Sequence, residues 1–234
     1  MSSTRWTDRT VGEIVGEDYG RASVFRKFGI DFCCGGGKPL AEACRSAGVE
    51  PRKIEEALDA HHCRRWAQEG LAAPEDPAPA EPGALADYIE SVHHAWVREN
   101  LPALLHFTER VAQVHGDKSP ELRTIAARTR ELALEMEEHM QEEEETLFPM
   151  ARSRAPTDGE PFLSDGILEE LKDEHERAAD LTREIRSLTH DYTPPPQACP
   201  TWKAAYAKLQ EFEVDLHRHV HLENNVLFPM LTGG

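Results

Sequence analysis

HMQEEEETLFPM at residues 139–150 and HVHLENNVLFPM at 219–230 share the pattern His-x-x-x-Glu-x-x-x-Leu-Phe-Pro-Met at an offset of 80 residues. Chance rarely writes so long a pattern twice. A histidine and a glutamate four residues apart lie on one face of an α-helix, so each copy predicts a helix with both side chains on a common stripe. Each copy also follows an earlier histidine at nearly the same distance: His94 lies 45 residues before His139, and His175 lies 44 before His219. The repeat therefore predicts two related helix pairs.

Around this repeat, helical periodicity extends over about 84–116, 120–151, 164–190 and 200–231, joined by turns such as HGDKSP and DYTPPPQACP. No period-two run argues for a sheet. Four long helices with short connections predict an all-α fold, an antiparallel four-helix bundle. Pro102 falls inside the first helix and predicts a kink there. Upstream, LAAPEDPAPAEPG at 71–83 has four prolines and almost nothing to bury, which predicts an extended linker. Before it, Val11–Phe28 and Pro39–Gln68 read as short helices, with Gly29, Gly48 and Pro51 placed as helix ends and starts. The expected organisation is a small helical domain at 1–70, a linker at 71–83 and the bundle at 84–234.

Periodicity also selects among the 12 histidines. In the fourth helix the stripe Leu209, Phe212, Leu216, Val226, Leu227, Met230 passes through His219 and Glu223 and leaves out His217 and His221. In the second, Ile125, Thr129, Leu132, Met136, Leu147, Met150 pass through His139 and Glu143, with Glu142, Glu144 and Glu145 to the sides as a solvated face. In the third, Leu168, Leu171, Ala178, Thr182 and Ile185 bracket His175. In the first, Val97, Leu101, Leu104, Leu105, Val111 and Ala112 lead back to His94, with His93 nearer the edge as a substitute. At a rise of about 1.5 Å per residue from the connecting turns, His94, His139, His175 and His219 lie about 22, 19, 16 and 19 residues deep, in one layer. His115 is about 31 Å from His94 along a continuous helix and belongs to another layer.

A single histidine on an apolar face is commonly a hydrogen-bonded core residue, but two carboxylates meeting in one core are harder to place. Burying an ionised carboxylate without compensation costs several kcal/mol, and none of the stripes supplies Arg or Lys. A pair of cations removes that cost. Four imidazoles and two carboxylates divide as two histidines per metal with Glu143 and Glu223 bridging. Nitrogen with carboxylate suits iron, manganese or zinc, and the absence of cysteine from the stripes argues against iron–sulfur ligation in the bundle. The His-x-x-x-Glu spacing also differs from the Glu-x-x-His of ferritin-like bundles.

The remaining composition bounds partners. Lys plus Arg is 26 and Asp plus Glu 43, a net charge of −17 that repels phosphate backbones and anionic lipid surfaces, so neither nucleic acid nor membrane is an expected partner. No apolar run reaches membrane-spanning length, MSSTRWTDRT lacks the apolar stretch of a secretory signal, and a cytoplasmic location is expected. Cys33 and Cys34 are adjacent and followed by Gly35, Gly36 and Gly37, a loop whose sulfurs could be exposed to a partner. Cys44 and Cys63 read as structural, and Cys199 is unassigned.

FRKFGIDFCCGGGKPL at 25–40, the paired HxxxExxxLFP, ENNVLFP at 223–229, and TPPPQAC at 193–199 followed by Trp202 carry a resemblance. The bundle resembles the hemerythrin-like family, and the chain from Val11 to Pro229 resembles the iron–sulfur cluster repair di-iron proteins, the RIC or ScdA/YtfE family. The resemblance implies two non-haem iron ions, oxo- and carboxylate-bridged, on His94, His139, His175 and His219 with Glu143 and Glu223, the six that the stripes select. It implies repair of clusters damaged by nitrosative or oxidative stress, through iron donation and NO reactivity, with Cys33 and Cys34 in redox or iron transfer. Damaged iron–sulfur proteins would be clients, NO or O₂ small ligands, and the reductant unknown; a homodimer stays open. The alternatives are a hemerythrin-like O₂ or NO carrier or sensor, and an NO reductase producing N₂O.

Overall fold

The structure, a computed structural model, describes residues 6–67, 79–153 and 165–232, with the backbone alone at 62–67 and at 165. Most of the expected linker, 71–78, and the side chain of Cys63 lie outside the described residues. Among the described residues there is no strand beyond an isolated bridge between Thr10 and Pro39, and no helix is long and apolar enough to cross a membrane. The chain forms two compact units, one of Ala80–His219, the other joining the residues up to Pro79 with Val220–Gly234.

The second of these contains α1 (Val11–Glu17), α2 (Ala22–Lys27), α3 (Leu40–Ser46) and α4 (Pro51–Ala67). α1 starts at a capping box: the Glu13 N–H donates to Thr10 Oγ1 at 3.2 Å and the Thr10 N–H to Glu13 Oε2 at 2.9 Å, satisfying two amides that have no partner within the helix. Gly29 and Gly48 follow α2 and α3 at φ +67° and +66°, the left-handed conformation that lets a helix end without a Cβ clash. Val11, Ile14, Phe25, Leu40, Ile54 and Leu58 are fully buried and make the core. The loop after α2 is fastened to α1 by Gly12 N–H to Gly36 C=O at 2.7 Å and Val11 N–H to Lys38 C=O at 3.0 Å.

In the bundle unit the first long helix runs through α5 (Pro82–Tyr88), a π-helical turn (Ile89–His94) and α6 (Ala95–His115), which continues through Pro102. The second comprises α7 (Glu121–Glu142), a π turn (Glu143–Leu147) and α8 (Phe148–Arg152). The third is α9 (Asp165–Leu188), and the fourth begins as α10 (Pro200–Leu222). Side-chain pairs set their directions. Arg98 meets Glu144 and Glu109 meets Arg130, so the first two helices are antiparallel; His139 meets Glu174 and Arg128 meets Glu184, so the second and third are too. The fourth pairs with the first in descending order, Tyr88 with Arg218, His93 with Asp215, Asn100 with Lys208 and His115 with Trp202. The four-helix bundle read from periodicity is the one observed, each long helix within about two residues of its expected limits.

Among the described residues three π turns interrupt the helices, which apolar periodicity alone does not reveal. At Glu143–Leu147 the Phe148 N–H donates to the Glu143 carbonyl five residues back, and Phe228 does the same to Glu223 in the turn Glu223–Leu227 that leads into α11 (Phe228–Thr232). Pro149 and Pro229 have no N–H to return to the carbonyl four residues earlier, so the helix widens by one residue ahead of each. A third π turn ends at His94. Each π turn among the described residues thus carries an expected metal ligand and begins or ends on it.

Candidate metal centre

His94 and Glu143 come from π turns on the first and second helices, His139 from α7, His175 from α9 and His219 from α10. His94, Glu143 and His219 are fully buried, and His175 and His139 are 2% and 5% exposed. His94, Glu143 and His219 each bring a donor atom within 4.8 Å of the others', and His139, Glu143 and His175 do the same. Glu143 is common to both groups. One of its oxygens, Oε2, lies 3.4 Å from His94 Nε2, 3.3 Å from His139 Nε2 and 3.8 Å from His219 Nε2. Within each group the two imidazoles face each other, Nε2 to Nε2, at 3.1 Å.

Behind the histidines stand further carboxylates. His94 Nδ1 is 2.7 Å from Glu144 Oε1 and His139 Nδ1 is 2.8 Å from Glu174 Oε2. A carboxylate accepts only, so each Nδ1 carries a proton, and in the neutral ring Nε2, the nitrogen that faces Glu143, is then the one able to bind a cation. Hydrogen bonds from His139 hold the Glu174 carboxyl below its usual range. Burial pushes Glu144 upward, but the bonds from Arg98 and His94 outweigh it and leave that carboxyl low as well.

This donor set fits a pair of cations. Two nitrogens each about 2.1 Å from one ion at right angles stand about 3 Å apart, close to the 3.1 Å observed in both pairs. A network of imidazoles bonded to each other would account for the nitrogens alone. It does not account for a fully buried carboxylate oxygen facing three ring nitrogens from three helices. His94 and His219 would hold one ion, His139 and His175 the other, with Glu143 between them.

Five of the six residues selected by the stripes are therefore brought together within the bundle unit. The sixth, Glu223, is fully buried one turn after His219 on the same continuous helix, as Glu143 is after His139. His93 does not substitute for His94: its Nδ1 lies 2.9 Å from Asp215 and its ring stacks on His219 at 5.8 Å, beside the donors but not among them. Glu144 departs from the expected solvated face, because the neighbouring helix presents His94 and Arg98 to it. Helical spacing gives no sign of Glu174 or Asp215 either. His115 lies at the far end of the bundle, 3.4 Å from Cys199 Sγ and against Trp202.

In the other unit, Asp31 turns the thiol loop. Its Oδ1 accepts from the Cys33 and Cys34 amides, each at 3.0 Å, and from Cys33 Sγ at 3.2 Å. Asn225 Nδ2 donates to the Cys33 carbonyl at 3.0 Å, so the loop rests on the residues that follow Glu223. Of the two sulfurs that the loop could expose, only Cys34 is partly open; Cys33 is 4% exposed, because the Asp31 turn folds it inward. The hydrogen bond with Cys34, burial and the Asp31 charge all raise the Cys33 thiol well above its ordinary range. A raised thiol stays protonated as pH climbs and only the thiolate is alkylated. Peptide mapping after iodoacetamide at neutral pH should therefore find Cys34 labelled and Cys33 unlabelled, with Cys33 labelling appearing only at strongly alkaline pH; equal labelling of both would contradict this geometry.

A helical bundle presenting two histidine–carboxylate donor groups defines a class, and the family models agree: residues 85–231 match the hemerythrin HHE cation-binding domain and residues 7–62 match ScdA_N, a domain of unknown function. The chain belongs to the family of iron–sulfur cluster repair proteins of the ScdA and YtfE type. It is 34% identical over 216 residues to the iron–sulfur cluster repair protein YtfE of Yersinia pseudotuberculosis, covering 90% of each chain. It is 35% identical over 221 residues to the iron–sulfur cluster repair protein ScdA of Staphylococcus haemolyticus, covering 93% of this chain and 95% of the relative. YtfE of Yersinia pestis is also 34% identical, again over 216 residues.

Proposed function

We propose that this chain is a dinuclear iron protein that repairs iron–sulfur clusters damaged by nitrosative or oxidative stress, donating iron to them. The observation that carries the reading is the Glu143 carboxylate, fully buried and facing three imidazoles, an arrangement that a pair of cations completes. His94 and His219 would hold one iron and His139 and His175 the other, with Glu143 and, by analogy within the repeat, Glu223 as the carboxylate ligands. Ferrous ions held there would supply exchangeable iron and electrons for NO. Glu144 and Glu174 hold the Nδ1 protons of His94 and His139, so that both rings keep Nε2 as a donor. Cys34, the partly open thiol of its loop, is the group that meets a client or an outgoing ion, while Cys33 and Asp31 shape the loop. The names of the relatives support the repair role, and the free thiols suit a reducing cytoplasmic setting.

The test is repair of a nitrosylated cluster protein by anaerobic ferrous chain, with N₂O and iron loss measured together. Wild type should restore the cluster and lose iron, and His139→Ala or Glu223→Ala should abolish restoration. Intact repair by either variant overturns the reading. Reversible NO binding with no iron released would favour a carrier, and N₂O without iron loss an NO reductase.

A further inference from the structure

The two carboxylates behind the metal-facing histidines are held differently. Glu144 receives two nearly parallel bonds from the Arg98 guanidinium, 2.8 Å to Oε1 and 2.9 Å to Oε2, while Oε1 also accepts from His94 Nδ1 at 2.7 Å. Arg98 lies four residues after His94, so two side chains from one face of one helix grip a single carboxylate from its neighbour. Bidentate guanidinium–carboxylate pairs fix orientation as well as distance. Glu174 has no such grip from its own cation: Arg177 approaches it at 3.6 Å through one nitrogen.

We propose that Glu144, pinned by Arg98, is a positioning residue that locks the His94 ring and its tautomer, and so governs retention of the ion at His94 and His219 while leaving the ion at His139 and His175 unaffected. An imidazole bonded at Nδ1 to an immobile acceptor can present Nε2 in only one place. Released from that acceptor, it can rotate about its side-chain torsions or move its proton to Nε2, and either change withdraws the donor. Arg98 is about half exposed while His94 is fully buried, so the clamp links the surface to a ligand that solvent does not reach. An ordinary surface ion pair contributes little, and a purely structural role would move the melting temperature without singling out one ion of two.

The inference rests on the dinuclear reading above, and the experiment keeps the two apart. Wild-type chain and the variants Glu144→Ala, Arg98→Ala and Glu144→Gln are loaded anaerobically with Fe²⁺, and its transfer to a coloured ferrous chelator is followed in time, with metal-free melting curves recorded alongside. Outer carboxylates of metal-bound histidines typically affect affinity by about 10–100-fold. Glu144→Ala should therefore speed release of one ion by about that factor and leave the other at the wild-type rate. Arg98→Ala should speed the same ion less, and Glu144→Gln, whose amide oxygen still accepts from Nδ1–H, should restore most of the retention. Equal acceleration of both ions, or a change in melting alone, overturns the clamp while leaving the dinuclear centre standing. Failure of the wild-type chain to take up two ions would sink the dinuclear reading, and the clamp with it.

Discussion

Replacing Glu143 by Gln is expected to raise the melting temperature of the metal-free chain and to remove the further rise that metal produces. The two effects have opposite signs and one cause. Glu143 is fully buried, so without a cation its carboxylate is an ionic group kept from water, offset only in part by the imidazoles around it. Gln keeps the shape and drops the charge. A relief of about 1 kcal/mol corresponds to about 2–4 °C in a chain of this size. With metal the balance reverses, because Glu143 is common to both donor groups. An ion at about 100 times its dissociation constant stabilises the folded state by about 2.7 kcal/mol, and the variant should forfeit most of that together with stoichiometric uptake. Thermal melts of both proteins, with and without Fe²⁺ under anaerobic conditions, read all four states. A Glu143→Gln variant that melts lower when metal-free and keeps the full metal-induced rise would show that the carboxylate serves packing only.

Gly36→Ala should destabilise the N-terminal unit by about 1–3 kcal/mol, while Gly37→Ala next to it stays within about 0.5 kcal/mol of wild type. A Cβ at Gly36 would stand 2.3 Å from Asn225 Oδ1 and 2.6 Å from the Phe32 carbonyl, whereas one at Gly37 meets nothing within 4 Å. The Asn225 amide could rotate away, but it would then release the Cys33 carbonyl that it holds at 3.0 Å. The Phe32 oxygen is backbone and cannot move without carrying Cys33 with it. Relief of the clash therefore displaces the thiol loop. Chemical denaturation should separate the two alanine variants, and iodoacetamide mapping should find Cys33 labelled in the Gly36→Ala variant at neutral pH. Equal stability of the two would contradict the close approach of Asn225.

Most of the bundle and its ligands could be read from spacing, because the same side chains decide both. An apolar stripe that runs through His139 and Glu143, and again through His219 and Glu223, is a statement about a single helix, and single-helix periodicity survives without knowledge of its neighbours. What spacing could not reach was anything set between helices. Glu144 sits on the flank of its own helix and looks solvated until Arg98 and His94 arrive from the next one; Glu174 and Asp215 were invisible for the same reason. His221 lies off the bundle stripe and is nonetheless 1% exposed, because Phe32 and Tyr19 of the N-terminal residues cover that flank. The π turns did have a signal, the proline six residues after each repeated glutamate, which removes a helical hydrogen bond just past the ligand. Spacing does not separate the three glycines after Cys34 either, and a close approach requires only some of them: Gly35 and Gly36 face neighbours that a Cβ would crowd, and Gly37 does not.

The most direct measurement is anomalous diffraction at the iron edge from crystals of chain loaded with Fe²⁺ under anaerobic conditions. Two peaks about 3.5–4 Å apart are expected, one against His94 and His219 and the other against His139 and His175, with the Glu143 carboxylate between them. A single peak elsewhere, or none in fully loaded crystals, would contradict the account.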